Sequence, residues 1–204
     1  MNAVIDFVGY EILIDYINEH HLCALEGDFI EIGAFVGGGT VKLAKLARAY
    51  SKKVVVIDIF DPMADRTATP DGTTMSDIYL AFLEGKSQYL EYCENTKNCD
   101  NIVTIKEDSK EVKLPANQKF MFGFIDGNHQ PDYVHNDFLL IWKYLVSGGV
   151  VGLHDYKSEL PDVTRTIDRL LHEKKDDISG TVEISEKHII LVTKKWRYEN
   201  IVGG

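Results

Sequence analysis

The chain has 204 residues, of which 45% are hydrophobic and 26% are charged. This composition is typical of a globular protein, and the length predicts one domain over residues 1–204. The 22 basic and 32 acidic side chains give a formal charge of -10, which repels phosphate backbones and anionic lipids, so no nucleic acid or membrane partner is expected. No apolar run reaches the roughly 20 residues that cross a bilayer. Since the first residues also lack the basic start of a signal peptide, a cytoplasmic location is expected.

The first elements are a helix, a strand and a glycine-rich turn. Apolar residues spaced by about three and four positions predict a leading helix within residues 1–24. The segment DFIEIG, at 28–33, is dense in β-branched and aromatic residues and predicts a strand. A turn with glycines at 33 and 37–39 leads into a second helix, and KKVVVIDIF, at 52–60, predicts a strand that is buried on both faces.

A long loop separates this first half from the remaining elements. Residues 61–77 are rich in proline, glycine and small polar residues, and we interpret them as a lid over the acceptor. The helical pattern over 78–98 is divided at Gly85. The later strands are NIVTIKED, KFMFGFIDG and GGVVGLHDY, followed by a hairpin of TVEIS and HIILVTKK. The alternation of strands and helices predicts an α/β fold, a three-layer doubly wound sandwich with a mostly parallel seven-stranded sheet and an antiparallel C-terminal hairpin.

Acidic residues stand at the ends of the predicted strands. In a doubly wound sheet, ligands bind beyond the carboxyl ends of the strands. A single acid at such a position is commonly solvated or caps a helix, but several acids on one edge indicate a polar cleft. The acids at these positions are Glu31, Asp58, Asp108, Asp126 and Asp155.

The glycine turn separates classes of cofactor. Glu31, Gly33 and Gly37 have the spacing ExGxxxG, which differs from the GxGxxG of dinucleotide sites, and no lysine follows the turn as in a P-loop. Asp58 suits a ribose, because a carboxylate accepts hydrogen bonds from both sugar hydroxyls. Glu31 would oppose a pyrophosphate and complement a cationic amino-acid group. A nicotinamide dinucleotide and an adenosyl sulfonium are both open at this point.

Longer motifs resemble the class I S-adenosylmethionine-dependent methyltransferases. FIEIGAFVGGGT (29–40) is similar to their motif I, VVVID (54–58) to the segment with their second-strand acid, and KEDS (106–109) to their adenine-contacting pair. FIDGNHQPDYVHNDFLLIWKYLVSGGVVGLHDY (124–156) resembles a small-molecule subgroup that includes the macrocin O-methyltransferases and, more distantly, the cephalosporin hydroxylase-like proteins. The resemblance covers roughly residues 25–195.

The resemblance implies a Rossmann-like fold and S-adenosyl-L-methionine as the cofactor. It also implies which residues contact that cofactor. They are Glu31 and Gly33 near the methionine part, Ala34, Gly37 and Thr40 in the same turn, Asp58 at the ribose, Asp108 and Ser109 at the adenine, and Asp126 near the transferring methyl group.

A divalent cation is a further implication of the resemblance. Several relatives bind magnesium through the acid after the fourth strand and an acidic pair after the fifth. The matching residues here are Asp126, His154 and Asp155. Magnesium prefers oxygen ligands, so the imidazole suits a softer divalent ion better. A hydrogen-bonded pair that anchors the loop after the strand is the alternative for His154 and Asp155.

Methyl transfer from a sulfonium is an in-line displacement that needs alignment and removal of a proton from the acceptor. His129 titrates near neutrality and is a candidate general base, and Asp126 and His154 are the other candidate catalytic residues. Asn128 replaces an acid that the subgroup often carries. Tyr133 is assigned to helix packing.

The predicted function is O-methylation of a small hydroxylated acceptor with S-adenosyl-L-methionine, with assistance from a divalent cation such as magnesium as an option. An NAD-dependent oxidoreductase and a non-catalytic S-adenosylmethionine-binding protein are the alternatives. The sequence identifies neither the acceptor nor the oligomeric state, for which a homodimer is one option.

Overall fold

The computed structural model describes residues 6–196, and these contain one seven-stranded sheet in the order β3-β2-β1-β4-β5-β7-β6. The strands from β3 to β5 pair in parallel, whereas β7 is antiparallel to both of its neighbours. The predicted fold class is therefore confirmed. The strands are β1 (Asp28–Ile32), β2 (Val54–Asp58), β3 (Ile102–Lys106), β4 (Phe120–Ile125), β5 (Leu145–Leu153), β6 (Ile178–Ile184) and β7 (Ile189–Lys194).

Helices cover both faces of the sheet, and a separate apolar cluster lies on each face. One cluster includes residues of α1, α2 and α4, and the other includes residues of α5 and α6, which makes three layers. Among the described residues, no helix is long and apolar enough to cross a membrane. The helices are α1 (Glu11–Glu19), α2 (Gly38–Ala49), α3 (Met75–Leu83), α4 (Gln88–Thr96), α5 (Pro131–Tyr144) and α6 (Pro161–Glu173).

The leading helix is shorter than the predicted span of 1–24. Residues 1–5 of that span lie outside the described part of the chain. The Asp6 carboxylate accepts hydrogen bonds from the backbone N–H groups of Val8, Gly9 and Tyr10. These bonds hold the chain in a turn just before α1, because the side chain takes the amides that a helix would otherwise leave free.

The predicted lid loop is also shorter, since α3 begins at Met75 rather than after residue 77. Thr74 accepts from the backbone N–H of Asp77, and the Asp77 carboxylate accepts from the backbone N–H of Thr74. This reciprocal capping box starts the helix inside the polar segment. The division at Gly85 is confirmed, because both Glu84 and Gly85 have positive φ between α3 and α4.

The sheet reverses its order at β1, which lies between β2 and β4. From β1 the chain continues to β2 and β3 on one side of β1, and it then crosses over to β4 on the other side. A crevice therefore opens at the carboxyl ends of these strands, as expected for a doubly wound sheet.

Candidate functional site

A cleft lies at this switch point, where doubly wound sheets bind their ligands. The ends of β1 to β4 form its floor, and the 61–74 loop, α3 and α5 form its walls. The cleft brings together five of the residues predicted from the sequence. These are Gly33, Asp58, Asp108, Ser109 and Asp126.

Gly33 makes the turn after β1 possible. Its φ is +86°, and a Cβ there would lie 2.1 Å from the carbonyl oxygen of Asp126. Gly37, with φ +85°, precedes α2, and a Cβ on it would meet the Tyr92 ring at 3.0 Å. The two glycines thus allow close approach of other parts of the chain. Neither Ala34 nor Gly37 lines the cleft, so their predicted cofactor contacts stay predictions.

Asp58 connects the glycine turn to the cleft. One carboxylate oxygen accepts from the backbone N–H groups of Ala34 at 2.8 Å and Phe35 at 3.0 Å, and the other accepts from Phe60 at 2.6 Å. Burial raises the pKa of Asp58, although these three bonds act in the opposite direction. A carboxylate has about four acceptor positions, so the three bonds that shape the turn leave about one position for the predicted ribose contact.

Glu31 lies within β1 and is 1% exposed. Its carboxylate accepts a hydrogen bond from the Tyr10 hydroxyl at 2.7 Å and another from the Thr40 hydroxyl. Burial raises its pKa to about 7, against the effect of these two bonds. Neither Glu31 nor Thr40 lines the cleft. The pair lies behind the glycine turn, and the predicted contact of Glu31 and Thr40 with the cofactor stays a prediction.

Asp108 and Ser109 lie on the side of the cleft formed by β3 and α5. Asp108 accepts from the Tyr133 hydroxyl at 2.8 Å, and the Ser109 side chain hydrogen-bonds to Asp137. Asp137 is 1% exposed, and burial raises its pKa to about 6. Tyr133, which was assigned to helix packing rather than substrate contact, also lines the cleft and donates to Asp108.

A buried imidazole joins the 61–74 loop to the end of β5. His129 Nδ1 lies 2.6 Å from Asp65, and its Nε2 lies 2.7 Å from Asp155. Burial opposes a charge on His129, but the bonds to Asp155 and Asp65 outweigh it and raise its pKa to about 10. An imidazolium has no lone pair with which to accept a proton. The geometry therefore argues against His129 as the general base, because both ring nitrogens are engaged by carboxylates that raise its pKa.

His154 lies between the two acids of the predicted metal set. Its Nδ1 is 3.0 Å from both Asp126 and Asp155. Burial disfavours the charged imidazole, yet the neighbouring Asp126 and Asp155 raise its pKa to about 11. His129 and His154 together lower the pKa of Asp155 despite its burial. The hydrogen-bonded pair considered for His154 and Asp155 is present, and Asp126 extends it into the cleft.

The comparisons with known proteins identify the family. A family model described as a methyltransferase domain matches residues 30–156. The chain belongs to this methyltransferase family. A search of curated proteins gave no match. The predicted methyltransferase activity is thereby supported, and the nicotinamide-dependent oxidoreductase is not favoured.

Solved methyltransferases share the fold. The O-methyltransferase NovP is 16% identical over 90% of this chain and 81% of its own, with a TM-score of 0.68. The calicheamicin methyltransferase CalS11 is 15% identical over 89% and 77%, with a TM-score of 0.63. TomG from Streptomyces achromogenes is 12% identical over 96% and 83%, with a TM-score of 0.61. These likenesses confirm the class I methyltransferase fold.

The three predicted metal residues of the methyltransferase do converge. Asp126, His154 and Asp155 each offer a ligand atom, and these atoms lie within 4.8 Å of one another. Two carboxylates and one imidazole fit a divalent ion of intermediate softness better than magnesium. Because His154 Nδ1 binds a proton strongly, a cation that used this nitrogen would have to displace that proton.

Several residues of the cleft were missed in the sequence, including Asp65, Tyr79 and Asp137. Asp65 lies in the loop, Tyr79 on α3 and Asp137 on α5, and all three line the cleft. Asp65 and Asp137 are 5% and 1% exposed. Asp137 sits inside the matched IDGNH-to-HDY stretch and could have been found there. Asp65 and Tyr79 come from a segment without a motif, and only the folded chain brings them to the strand ends.

Proposed function

We propose that this methyltransferase transfers a methyl group from S-adenosyl-L-methionine to a hydroxyl group of a small molecule. The observation that carries the proposal is the convergence of Asp58, Asp108 and Asp126 on one cleft at the sheet reversal. A sulfonium cofactor presents a positive charge and a ribose, and carboxylates complement both. TomG, which shares the fold, is described in complex with this cofactor.

We assign the two ends of the cleft from their chemistry. Asp108 and Ser109 lie beside β3 and suit the adenine, and Asp58 at the end of β2 suits the ribose. Asp126 then lies nearest the reacting groups. Glu31 acts at a distance, since it holds Thr40 and Tyr10 around the glycine turn. In this proposal Glu31 is a positioning residue.

Asp126 is the proposed acceptor of the proton that leaves the acceptor hydroxyl. It is the acid that borders both the main cleft and the smaller cavity around His129 and His154. His154 Nδ1, which lies 3.0 Å from Asp126, holds this carboxylate in position beside the cleft. His129 acts as a support for Asp155 and for the loop, through its bonds to Asp155 and Asp65.

Asp126, His154 and Asp155 would hold a divalent cation in this proposal. When bound, such an ion lowers the pKa of the acceptor hydroxyl and orients it. The fit is conditional on deprotonation of His154, and the remaining steps of the proposal use the side chains alone.

Calorimetry with S-adenosylmethionine and S-adenosylhomocysteine tests the proposal first. We expect dissociation constants in the micromolar range, and no binding at about 1 mM would refute it. Turnover is then followed as release of S-adenosylhomocysteine with a panel of hydroxylated acceptors.

Asp126→Asn separates chemistry from binding. It should lower turnover by about a hundredfold or more, the usual contribution of a proton-transfer group. Asp162→Asn, at an exposed acid in the first turn of α6, is the matched control and should behave as the wild type. Equal losses in both variants would remove the assignment of Asp126. Turnover by the wild type would also exclude the non-catalytic alternative.

A further inference from the structure

The charged side chains that line the cleft all have the same sign. Every charged side chain that lines it is a carboxylate, and no lysine or arginine among residues 6–196 lines it. In the proposed function, Asp58 and Asp108 lie at the cofactor end of the cleft. Asp61 comes from the loop on the other side and adds a further negative charge there, whereas the Asp65 carboxylate of the same loop is paired with His129. Asp58 and Asp108 are half-buried, so salt screens them weakly and they repel a second anion, whereas Asp61 is exposed and is screened more.

The wall beside these acids is aromatic. The rings of Phe35 and Tyr79, which both line the cleft, have centroids 5.2 Å apart. Phe82 packs against Phe35 at 5.2 Å, and Phe7 packs against Phe82 at 5.0 Å. Phe7 is 60% exposed. The row therefore runs from inside the cleft to the surface and offers a flat apolar face to a ligand.

The Tyr79 hydroxyl has no hydrogen-bond partner within the described part of the chain. Burial and the nearby carboxylates of Asp126, Asp65 and Asp155 raise its pKa well above the ordinary value. The group therefore stays a neutral phenol, which can both donate and accept a hydrogen bond. A polar group of this kind inside an apolar wall is a specific contact that a ligand with a hydroxyl can use.

We propose that the acceptor of this cleft is a neutral or cationic molecule with a flat apolar face, whose hydroxyl contacts Tyr79, and that phosphate- or carboxylate-bearing acceptors are excluded. This inference rests on the proposed function, because it concerns the acceptor end of the same cleft. The aromatic wall supplies the contact area, Tyr79 supplies the directional contact, and the acids supply the discrimination.

Ligand-observed NMR and titration with protein saturated with S-adenosylhomocysteine test this inference without turnover. The probes share one catechol ring and differ in charge: 4-methylcatechol is neutral, dopamine is cationic and 3,4-dihydroxyphenylacetate is anionic, with phenyl phosphate as a second anion. The neutral and cationic probes should bind at least about tenfold more tightly than the two anions, since like charges at an interface are strongly unfavourable.

Variants then locate the effect. Tyr79→Phe keeps the ring and should weaken 4-methylcatechol by about threefold to tenfold, with the affinity for S-adenosylhomocysteine unchanged. Asp61→Lys should reduce the discrimination against 3,4-dihydroxyphenylacetate by about tenfold. Asp71→Lys, at an exposed acid of the same loop that does not line the cleft, is the control and should leave the discrimination as in the wild type.

Three results would overturn the inference. Anionic probes that bind as tightly as 4-methylcatechol would remove the charge argument. Absence of binding by every catechol would remove the aromatic wall as an acceptor site. A Tyr79→Phe variant with unchanged catechol affinity would remove the hydroxyl contact. Failure of S-adenosylhomocysteine itself to bind is a separate result, which would count against the proposed function.

Discussion

Glu31→Gln tests how a buried acid in the middle of a parallel sheet affects stability. Glu31 is 1% exposed, and burial raises its pKa from the ordinary 4.5 to about 7. Its partners are the hydroxyls of Tyr10 and Thr40, and no cation is among them. Because a hydroxyl can also accept a hydrogen bond, glutamine can replace both contacts at nearly constant volume.

The sign of the pH dependence follows from the raised pKa. Between about pH 4.5 and 7, the unfolded chain releases the Glu31 proton while the folded chain retains it, so the free energy of unfolding falls as pH rises. One tenfold change in proton affinity is worth about 1.4 kcal/mol. The rise in the pKa to about 7 therefore means that ionising Glu31 in the folded protein costs roughly 3 kcal/mol. This cost is absent at low pH and complete above the folded pKa.

Urea unfolding of the wild type and Glu31→Gln measures this cost. The series should begin near pH 5.5, above the pI of about 5.1, because proteins with little net charge tend to associate. The stability of Glu31→Gln relative to the wild type should increase by roughly 2 kcal/mol between about pH 5.5 and 8. All other titrating groups are shared and cancel in this difference. A difference that is constant across the series would refute the reasoning about Glu31.

Three further predictions follow from the site. Gly33→Ala should destabilise the protein by about 2 to 5 kcal/mol, because alanine is strained at φ +86° and its Cβ would meet Asp126; thermal unfolding measures this. Asp65→Asn should speed hydrogen exchange of the 61–74 loop amides by about tenfold or more, because it weakens the bonds to His129. The affinity for Mn²⁺ should increase by up to about tenfold per pH unit below the raised pKa of His154, since ligation displaces its proton; calorimetry in a pH series measures this.

Matched controls separate these effects from general damage. Gly180→Ala places a Cβ where no atom lies within 4 Å, so a comparable loss there would contradict the packing argument for Gly33. Asp71→Asn changes the same loop away from His129, and equal exchange in both loop variants would contradict the role of Asp65. Asp155→Ala should abolish Mn²⁺ binding. An affinity for Mn²⁺ that does not change with pH would show that His154 is not a ligand.

The fold could be predicted from the sequence because the patterns that indicate it are local. Continuous apolar runs such as VVVID and the glycine spacing around Gly33 predict buried parallel strands and a tight turn whatever surrounds them. Acids directly after those strands then had to meet at one edge, which is why Asp58, Asp108 and Asp126 were found in advance. Helix boundaries were less accurate, because the Asp6 turn and the Thr74 capping box depend on single side-chain contacts.

Tertiary structure decided which of these residues face the ligand and in which charge state. Glu31 was predicted from its place in the motif, but only the folded chain shows that it is buried and bonded to the hydroxyls of Tyr10 and Thr40. His129 was a candidate base, and the folded chain places it between Asp155 and Asp65, whose hydrogen bonds raise its pKa. Sequence determined the edge of the sheet at which chemistry occurs. The folded chain alone brought Asp65 and Tyr79 to that edge, because burial and charge at a site depend on neighbours that are remote in the sequence.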